Sequence, residues 1–279
     1  MHIIETIADF RRVRPQFGSL GLVPTMGYLH AGHLSLVQRA KAECGAAAVS
    51  IFVNPTQFAP HEDFNRYPRD MERDLGLLRE IGTDLVFTPP MSEIYPPGFS
   101  TYVEVEGVTD TLEGAARPGH FRGVATVVCK LFTITQPTRA YFGQKDAQQC
   151  VVVKKMVRDL NLPLDVIICP TVREPDGLAM SSRNAYLTPE QRRAAPVLHR
   201  ALSAAQQRYE SGERNGDTLR ATMQTVLHAE ALAETQYVSA ADPLTLRELD
   251  SVGTGGVLFS MAVRIGNTRL IDNLLIEGE

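Results

Sequence analysis

From the start of the chain to Pro170, short β-branched or apolar runs alternate with segments of helical periodicity, and this alternation constrains the fold more than any other feature. The runs are "GLVPT", "AAAVSIFV" at residues 46–53, "TDLVFTP" at 83–89, "RAYFG" at 139–143 and "LDVIICP" at 164–170. Helical patterns fill the gaps at 34–43, 69–81, 124–133 and 147–160. Strands separated by helices can pair in parallel only through crossovers, so the expected fold is α/β, a Rossmann-like, doubly wound parallel sheet.

The texture changes after Thr171. Two Ala/Arg/Gln-rich stretches, 189–209 and 218–233, predict helices on either side of the loop "SGERNGD". "TQYVSA", "VLFSMAVRI" and "TRLIDNLLI" then predict strands joined by Gly-containing turns. The expected organisation is a Rossmann-like domain over 1–171 and a second, smaller α+β domain over 172–279.

Composition excludes several partners. A net charge of -4 over 279 residues argues against a nucleic-acid binder, whose footprint is a basic excess, but leaves room for a small anion. Cys44, Cys129, Cys150 and Cys169 stand singly with no C-x-x-C spacing, as expected of reduced thiols. The opening "MHIIETIADF" lacks a basic segment followed by a long apolar one, and no apolar run approaches the ~18 residues of a spanning helix. The expectation is a cytoplasmic protein with no membrane or nucleic-acid partner.

The stretch "VPTMGYLHAGHLSLV" places His30 and His33 where a strand ends and a helix begins. Spacing of three sets both on one face of the first helical turn, beside free N–H groups and the positive end of the helix dipole. Two imidazole donors there suit phosphate, although a purely structural pair fits the pattern too. Zinc fits least, because no Cys, Glu or third His stands nearby at ligand spacing.

"YFGQKDAQQ" puts Lys145 just past a strand end and before a helix, where it would offer a point charge to phosphate or be an ordinary solvated lysine. "GLAMSSRNAYL" strings Ser181, Ser182 and Arg183 together, donors for a polyphosphate or an N-cap followed by a surface arginine. In "FVNPTQF", Asn54 and Gln57 are neutral amides that could bind hydroxyls and a carboxylate. Val124, Val127, Val128 and Leu131 recur at helical spacing and are read first as core; Val127 and Val128 could also line a substrate pocket. His120 and Arg122 fit caps or anion contacts equally, and loop 59–66 fits a gate.

Taken together, "PTMGYLHAGHLSLV", "FVNPTQF" with "YPR", "GHFRGVATVV", "FGQKDAQQ" and "REPDGLAMSSRN" resemble the pantoate–β-alanine ligase family of the HIGH-type nucleotidyltransferases. The H-I-G-H signature stands here as H-A-G-H. The motifs lie between Val23 and Leu187; beyond that the resemblance rests on domain layout.

The resemblance implies a two-step reaction with the small-molecule substrates pantoate, β-alanine and ATP, with 1–171 as the ATP- and pantoate-binding domain and 172–279 as a lid. Pantoate's carboxylate attacks the α-phosphorus to give pantoyl adenylate and pyrophosphate, and β-alanine's amine then displaces AMP. His30, His33, Lys145, Ser182 and Arg183 match the catalytic positions. Met26, Gly27, Gly32, Gly143, Gln144, Asp146, Val172, Met180 and Ser181 match the rest of the ATP site. Gln57 and Gln149 match the glutamines that hold pantoate, with Asn54 and Met26 beside them. The resemblance further implies Mg²⁺ carried on the phosphates with no protein ligand, and a homodimer. A pure nucleotidylyltransferase or tRNA-aminoacylating enzyme and a nucleotide-binding module without catalysis are the competing readings. The presence of both histidines, Lys145 and Arg183 weighs against the second.

Overall fold

In the computed structural model the described residues are 1–60 and 62–278. In chain order the elements are β1 (His2–Ile4), α1 (Ile7–Val13), β2 (Gly21–Thr25), α2 (Ala31–Cys44), β3 (Ala47–Ile51), α3 (Met71–Glu80), β4 (Leu85–Phe87) and α4 (Met91–Ile94). There follow α5 (Leu112–Ala116), α6 (His120–Thr135), β5 (Arg139–Gly143), α7 (Ala147–Asp159) and β6 (Asp165–Cys169). The chain ends with α8 (Pro189–Ala194), α9 (Val197–Glu210), α10 (Gly216–His228), β7 (Ala233–Ala241), β8 (Gly256–Ile265) and β9 (Thr268–Glu277).

Contacts divide the chain into two units. The first comprises Met1–Glu106, Arg117–Gln144 and Gln149–Pro170; the second comprises Gly107–Ala116, Lys145–Gln148 and Thr171–Glu279. The second thus takes in two short stretches from earlier in the chain.

In the first unit six strands form one parallel sheet in the order β1-β4-β3-β2-β5-β6. The five strands expected from the sequence are all present. The sheet has one more, β1, which pairs with β4 at the edge and buries only Ile4, so it shows no apolar run. Val49, Leu85, Val86 and Ala140 are fully buried, as strands covered by helices on both faces require. Helix α2 lies so close to β2 that a Cβ on Gly21 would stand 2.8 Å from the Ala40 Cβ, which is why glycine starts the strand.

In the second unit β7, β8 and β9 form an antiparallel sheet, and α9 and α10 bury Leu198, Leu202, Leu219 and Met223 against its Phe259, Met261 and Val263. The helix expected over 189–209 is two helices. Thr188 caps α8 reciprocally with Gln191, and Pro196, which has no N–H to donate, becomes the N-cap of α9. The helix expected over 218–233 ends at His228, and Ala233 already begins β7.

Candidate active site

The strand order of the first unit reverses between β2 and β5, whose carboxyl ends therefore open a crevice. Pro24 widens it. The Thr25 carbonyl accepts from Phe52 N–H on the β3 side, so by alternation the missing N–H of Pro24 faces β5. The β2–β5 ladder stops accordingly at Leu22.

Beyond Thr25 the chain turns sharply. Gly27 has φ 83° and Tyr28 has φ 52°, and a Cβ on Gly27 would meet Ile51 Cγ2 at 3.0 Å and Asp74 Oδ2 at 3.1 Å. The turn is held by Asp74 of α3, whose carboxylate accepts from Tyr28 N–H at 2.6 Å and from Leu29 N–H at 2.7 Å. Asp74 is 1% exposed; burial pushes its carboxyl above the usual range, against the two N–H bonds that pull it down. Thr25 Oγ1 accepts from Gly27 N–H at 3.2 Å.

That turn delivers His30 as the N-cap of α2, with extended backbone, and His33 in the first turn. The two rings lie 4.0 Å apart between centroids, tilted by 39°. His33 Nδ1 accepts a long hydrogen bond, 3.4 Å, from the His30 N–H. Accepting at Nδ1 places the neutral ring's proton on Nε2, so the outer edge of His33 is a donor. Gly32 lies between them, in the same turn.

At the end of β3, Asn54 is 1% exposed and its amide is fully engaged. Nδ2 donates to Gln57 Oε1 at 3.0 Å and to Gly123 O at 3.1 Å, while Oδ1 accepts from Thr56 Oγ1 and the Tyr95 hydroxyl at 2.9 and 2.7 Å. Gln57 Nε2 in turn lies 3.2 Å from Met26 Sδ, which brings two of the sequence-derived substrate residues into contact. Helix α6 presses on this turn: a Cβ on Gly123 would stand 2.3 Å from Thr56 O and 2.7 Å from Gln57 N.

His120 and Arg117 hold the same turn from outside. A carbonyl can only accept, so His120 Nδ1 donates to Gln57 O at 2.9 Å and its Nε2 faces Arg117 Nη1 at 3.1 Å. Arg117 also pairs with Glu62 through two bonds of 2.7 and 2.8 Å. Arg122 stacks on Tyr102 at 3.8 Å. Gln57, Glu62, Arg117, His120 and Arg122 border a cavity of about 240 Å³. Val127 and Val128 are buried in the core. In loop 59–66, read above as a gate, His61 lies outside the described residues.

Gly143 ends β5 and its carbonyl accepts from Cys150 Sγ at 3.4 Å; Gln144 follows in a short 3-10 turn. Gln149, on the first turns of α7, is half-buried. Its neighbour Gln148, in the second unit, spends its amide on the backbone of Val108, Thr111 and Glu113. The two glutamines of "DAQQ", alike in sequence, are thereby different in kind.

In the second unit Lys145 Nζ lies 3.6 Å from Asp146 Oδ1, and the Lys145 carbonyl accepts from Asn273 Nδ2 of β9 at 2.8 Å. Met180 N–H donates to Val172 O at 3.0 Å, so these two residues sit across a small hairpin, tightened at Arg173 and Ala179. Ser181 caps a 3-10 turn, its Oγ accepting from Arg183 N–H at 3.3 Å, and Ser182 is 7% exposed. Arg183 lies close enough to Arg269 to work against its protonation, although the Glu113 carboxylate outweighs this. Among the described residues no group of three or more His, Cys, Asp or Glu side chains is placed to hold a metal.

Residues 2–275 match the pantoate–β-alanine ligase family. The chain belongs to that family. It is 67% identical over 276 residues to the pantothenate synthetase of Chloroflexus aggregans, covering 99% of this chain and 100% of that protein. It is 63% identical to the pantothenate synthetase of Roseiflexus castenholzii, over 99% and 100% of the two chains. The crystal structure of pantothenate synthetase from Thermus thermophilus superposes with a TM-score of 0.95 at 50% identity, over 98% of this chain and 99% of that one. The pantoate–β-alanine ligase of Francisella tularensis, solved in complex with beta-gamma ATP and β-alanine, gives 0.80 at 36% identity, over 99% and 97%.

As a ligase of this family, the chain carries elements near its motifs that sequence reading passed over. Asp74 looks like one more acid on an exposed helix, and only its 1% exposure and two N–H partners mark it. Tyr95 and Gly123, which fix Asn54 and the Gln57 turn, had no distinguishing spacing. The signal for Asp272 and Asn273 was present: two polar residues in succession inside the apolar run "LIDNLLI".

Proposed function

We propose that this ligase condenses pantoate with β-alanine at the expense of ATP, through pantoyl adenylate. The observation that carries the reading is the arrangement at the carboxyl ends of β2 and β3: His30 and His33 in the first turn of α2, and Gln57 against Met26. The α2 N-terminus and the His33 Nε2–H offer donors to an anion, and the Gln57 amide offers one donor and one acceptor to a hydroxy acid.

In the first step a pantoate carboxylate oxygen bonds to the α-phosphorus, the bond to the bridging oxygen breaks, and pyrophosphate leaves with that electron pair. His33 donates a hydrogen bond to the charge developing on pyrophosphate, with His30, Gly27 and Gly32 shaping the turn around it. Lys145 neutralises charge at the α-phosphate, Ser181, Ser182 and Arg183 bind the other phosphates, Gly143 and Asp146 face the ribose, and Gln144 belongs to the same ATP site. Val172 and Met180 flank the adenine. In the second step the β-alanine nitrogen bonds to the acyl carbon, the acyl–oxygen bond breaks to release AMP, and the surplus ammonium proton passes to solvent. No enzyme nucleophile is needed, because both nucleophiles belong to substrates.

Gln57 and Gln149 hold pantoate. Asn54, whose amide is spent on Gln57, Gly123, Thr56 and Tyr95, orients Gln57 in this proposal instead of touching pantoate itself. The set facing the phosphates is cationic and neutral, and among the described residues no group of three or more His, Cys, Asp or Glu side chains is placed to hold a metal. In this proposal Mg²⁺ rides on the nucleotide. A homodimer in the cytoplasm belongs to the same proposal; no described helix is long and apolar enough to cross a membrane.

The test follows pyrophosphate and AMP separately, with ATP, Mg²⁺ and pantoate, before and after β-alanine is added. Pyrophosphate should appear without β-alanine, and AMP with pantothenate only once it is present. Absence of pantoate-dependent pyrophosphate would overturn the proposal.

A further inference from the structure

Within β9, Asp272 and Asn273 interrupt the apolar run from Leu270 to Ile276, and they are 3% and 5% exposed. A buried carboxylate and amide are costly in a sheet that an aliphatic pair would pack equally well, so their partners should explain them. Those partners lie in two segments far apart in the chain. Asn273 Nδ2 donates to the Lys145 carbonyl at 2.8 Å. Asp272 takes the fork of Arg173, Nη1 to Oδ2 at 2.7 Å and Nη2 to Oδ1 at 2.9 Å, and also receives the Asn273 N–H at 2.8 Å. Arg173 donates further to Gly177 O at 3.0 Å and to Asn273 O at 3.3 Å.

Arg173 is the near leg of the hairpin whose far leg leads through Met180 to Ser181, Ser182 and Arg183. Its guanidinium therefore anchors at one end the segment that carries the phosphate-binding hydroxyls. Lys145 is anchored by the very next residue of the strand. Neighbouring strand residues are held about 3.3 Å apart, so two segments tied to them share one rigid reference.

We infer that Asp272 and Asn273 are positioning residues that hold Lys145 and the 180–183 segment in register for the reaction, an inference that rests on the proposed function. They touch no reacting atom and act through the Lys145 main chain and through Arg173. Misplacement of a catalytic group by about 1 Å can cost on the order of 100-fold in rate, which makes such a tie consequential.

The experiment compares Asn273→Ala, Lys145→Ala and the double variant with the parent enzyme. It measures kcat for pantoate-dependent pyrophosphate release and KM for pantoate on protein shown to be folded by circular dichroism. Asn273→Ala should lower kcat by roughly 10- to 100-fold and leave the pantoate KM within about twofold. In the Lys145→Ala background the same change should cost less than about threefold, because the group it positions has gone. Equal losses in the two backgrounds, or activity that only follows the folded fraction, would overturn the inference. Should the alanine variant fail to fold, Asn273→Asp keeps the volume and, once ionised, removes the donor, and it is read by the same cycle. A parent enzyme that releases no pyrophosphate overturns the ligase proposal and this inference with it; an active parent with additive losses overturns the inference alone.

Discussion

The carboxylate of Asp74 receives the backbone N–H of Tyr28 at 2.6 Å, across 46 positions of sequence. Tyr28 has a positive φ that a bulky residue adopts only when its surroundings impose it, and the paired bonds to Tyr28 and Leu29 are what impose it here. The turn that aims His30 is thus stabilised from α3. Asp74→Ala should cost about 2–4 kcal/mol, from two charge-assisted bonds lost and two N–H groups left unpaired, and should also lower pyrophosphate release. Denaturant unfolding and the product assay check both; stability unchanged within 0.5 kcal/mol, roughly the spread of neutral surface changes, would refute it.

His33→Ala should act on turnover far more than on fold. Losing one preorganised donor to developing charge costs about 100- to 1,000-fold in kcat, whereas the bond at Nδ1 is long and weak. Steady-state kinetics beside a thermal melt separates the two. A large fall in melting temperature with turnover retained would make the pair structural.

Gly123→Ala should disturb pantoate without touching ATP. The new Cβ would stand 2.3 Å from Thr56 O, backbone that can yield only by shifting the Gln57 turn. Overpacking of this kind costs about 1–3 kcal/mol, and the pantoate KM should rise roughly tenfold with the ATP KM nearly constant. Equal changes in both constants would contradict the placement of Gln57.

Glu62 supplies a pH dependence. Burial pushes its carboxyl up, but the Arg117 hydrogen bonds and charge, with the Ala59 N–H, outweigh this and leave it below the usual carboxylate range. A carboxyl depressed in the folded state contributes stability that is present above its unfolded value, ~4.3, and is lost as pH falls through the lower folded value. Glu62→Gln should therefore be less stable than the parent by about 1–2 kcal/mol at neutral pH, with the gap closing in acid below that range. Unfolding midpoints at pH 7 and at the acid end measure it; a gap that widens in acid has the wrong sign.

Most of the parallel sheet was legible because its strands are buried apolar runs bounded by Gly, Pro or polar turns; even the three residues of β4 are all buried. β1, an edge strand that buries only Ile4, was not. Pro196 was visible in the sequence, yet an Ala/Arg-rich run is helical on both sides of it, so the break between α8 and α9 had no periodic signature. The histidine pair, the Gln57 turn and the Ser–Arg run stand out in the sequence as candidates because each crowds several functional groups into a few residues. Asp74 holds the Leu29 N–H, Gly123 packs on Thr56 and Gln57, and Asn273 holds the Lys145 carbonyl, each from 45 or more positions away, and such ties exist only once the chain has folded. Asn54 shows the opposite limit: its residue type suited a substrate contact, and its neighbours had already taken every donor and acceptor.

In the proposed reaction pantoate's own carboxylate attacks the α-phosphorus. Pantoate labelled with ¹⁸O in both carboxylate oxygens, turned over with ATP and β-alanine, tests it most directly through the mass of the AMP formed. An adenylate leaves one labelled oxygen on the AMP phosphate and the other in the amide carbonyl of pantothenate. Unlabelled AMP, or label recovered in orthophosphate with ADP as the other product, would contradict the account.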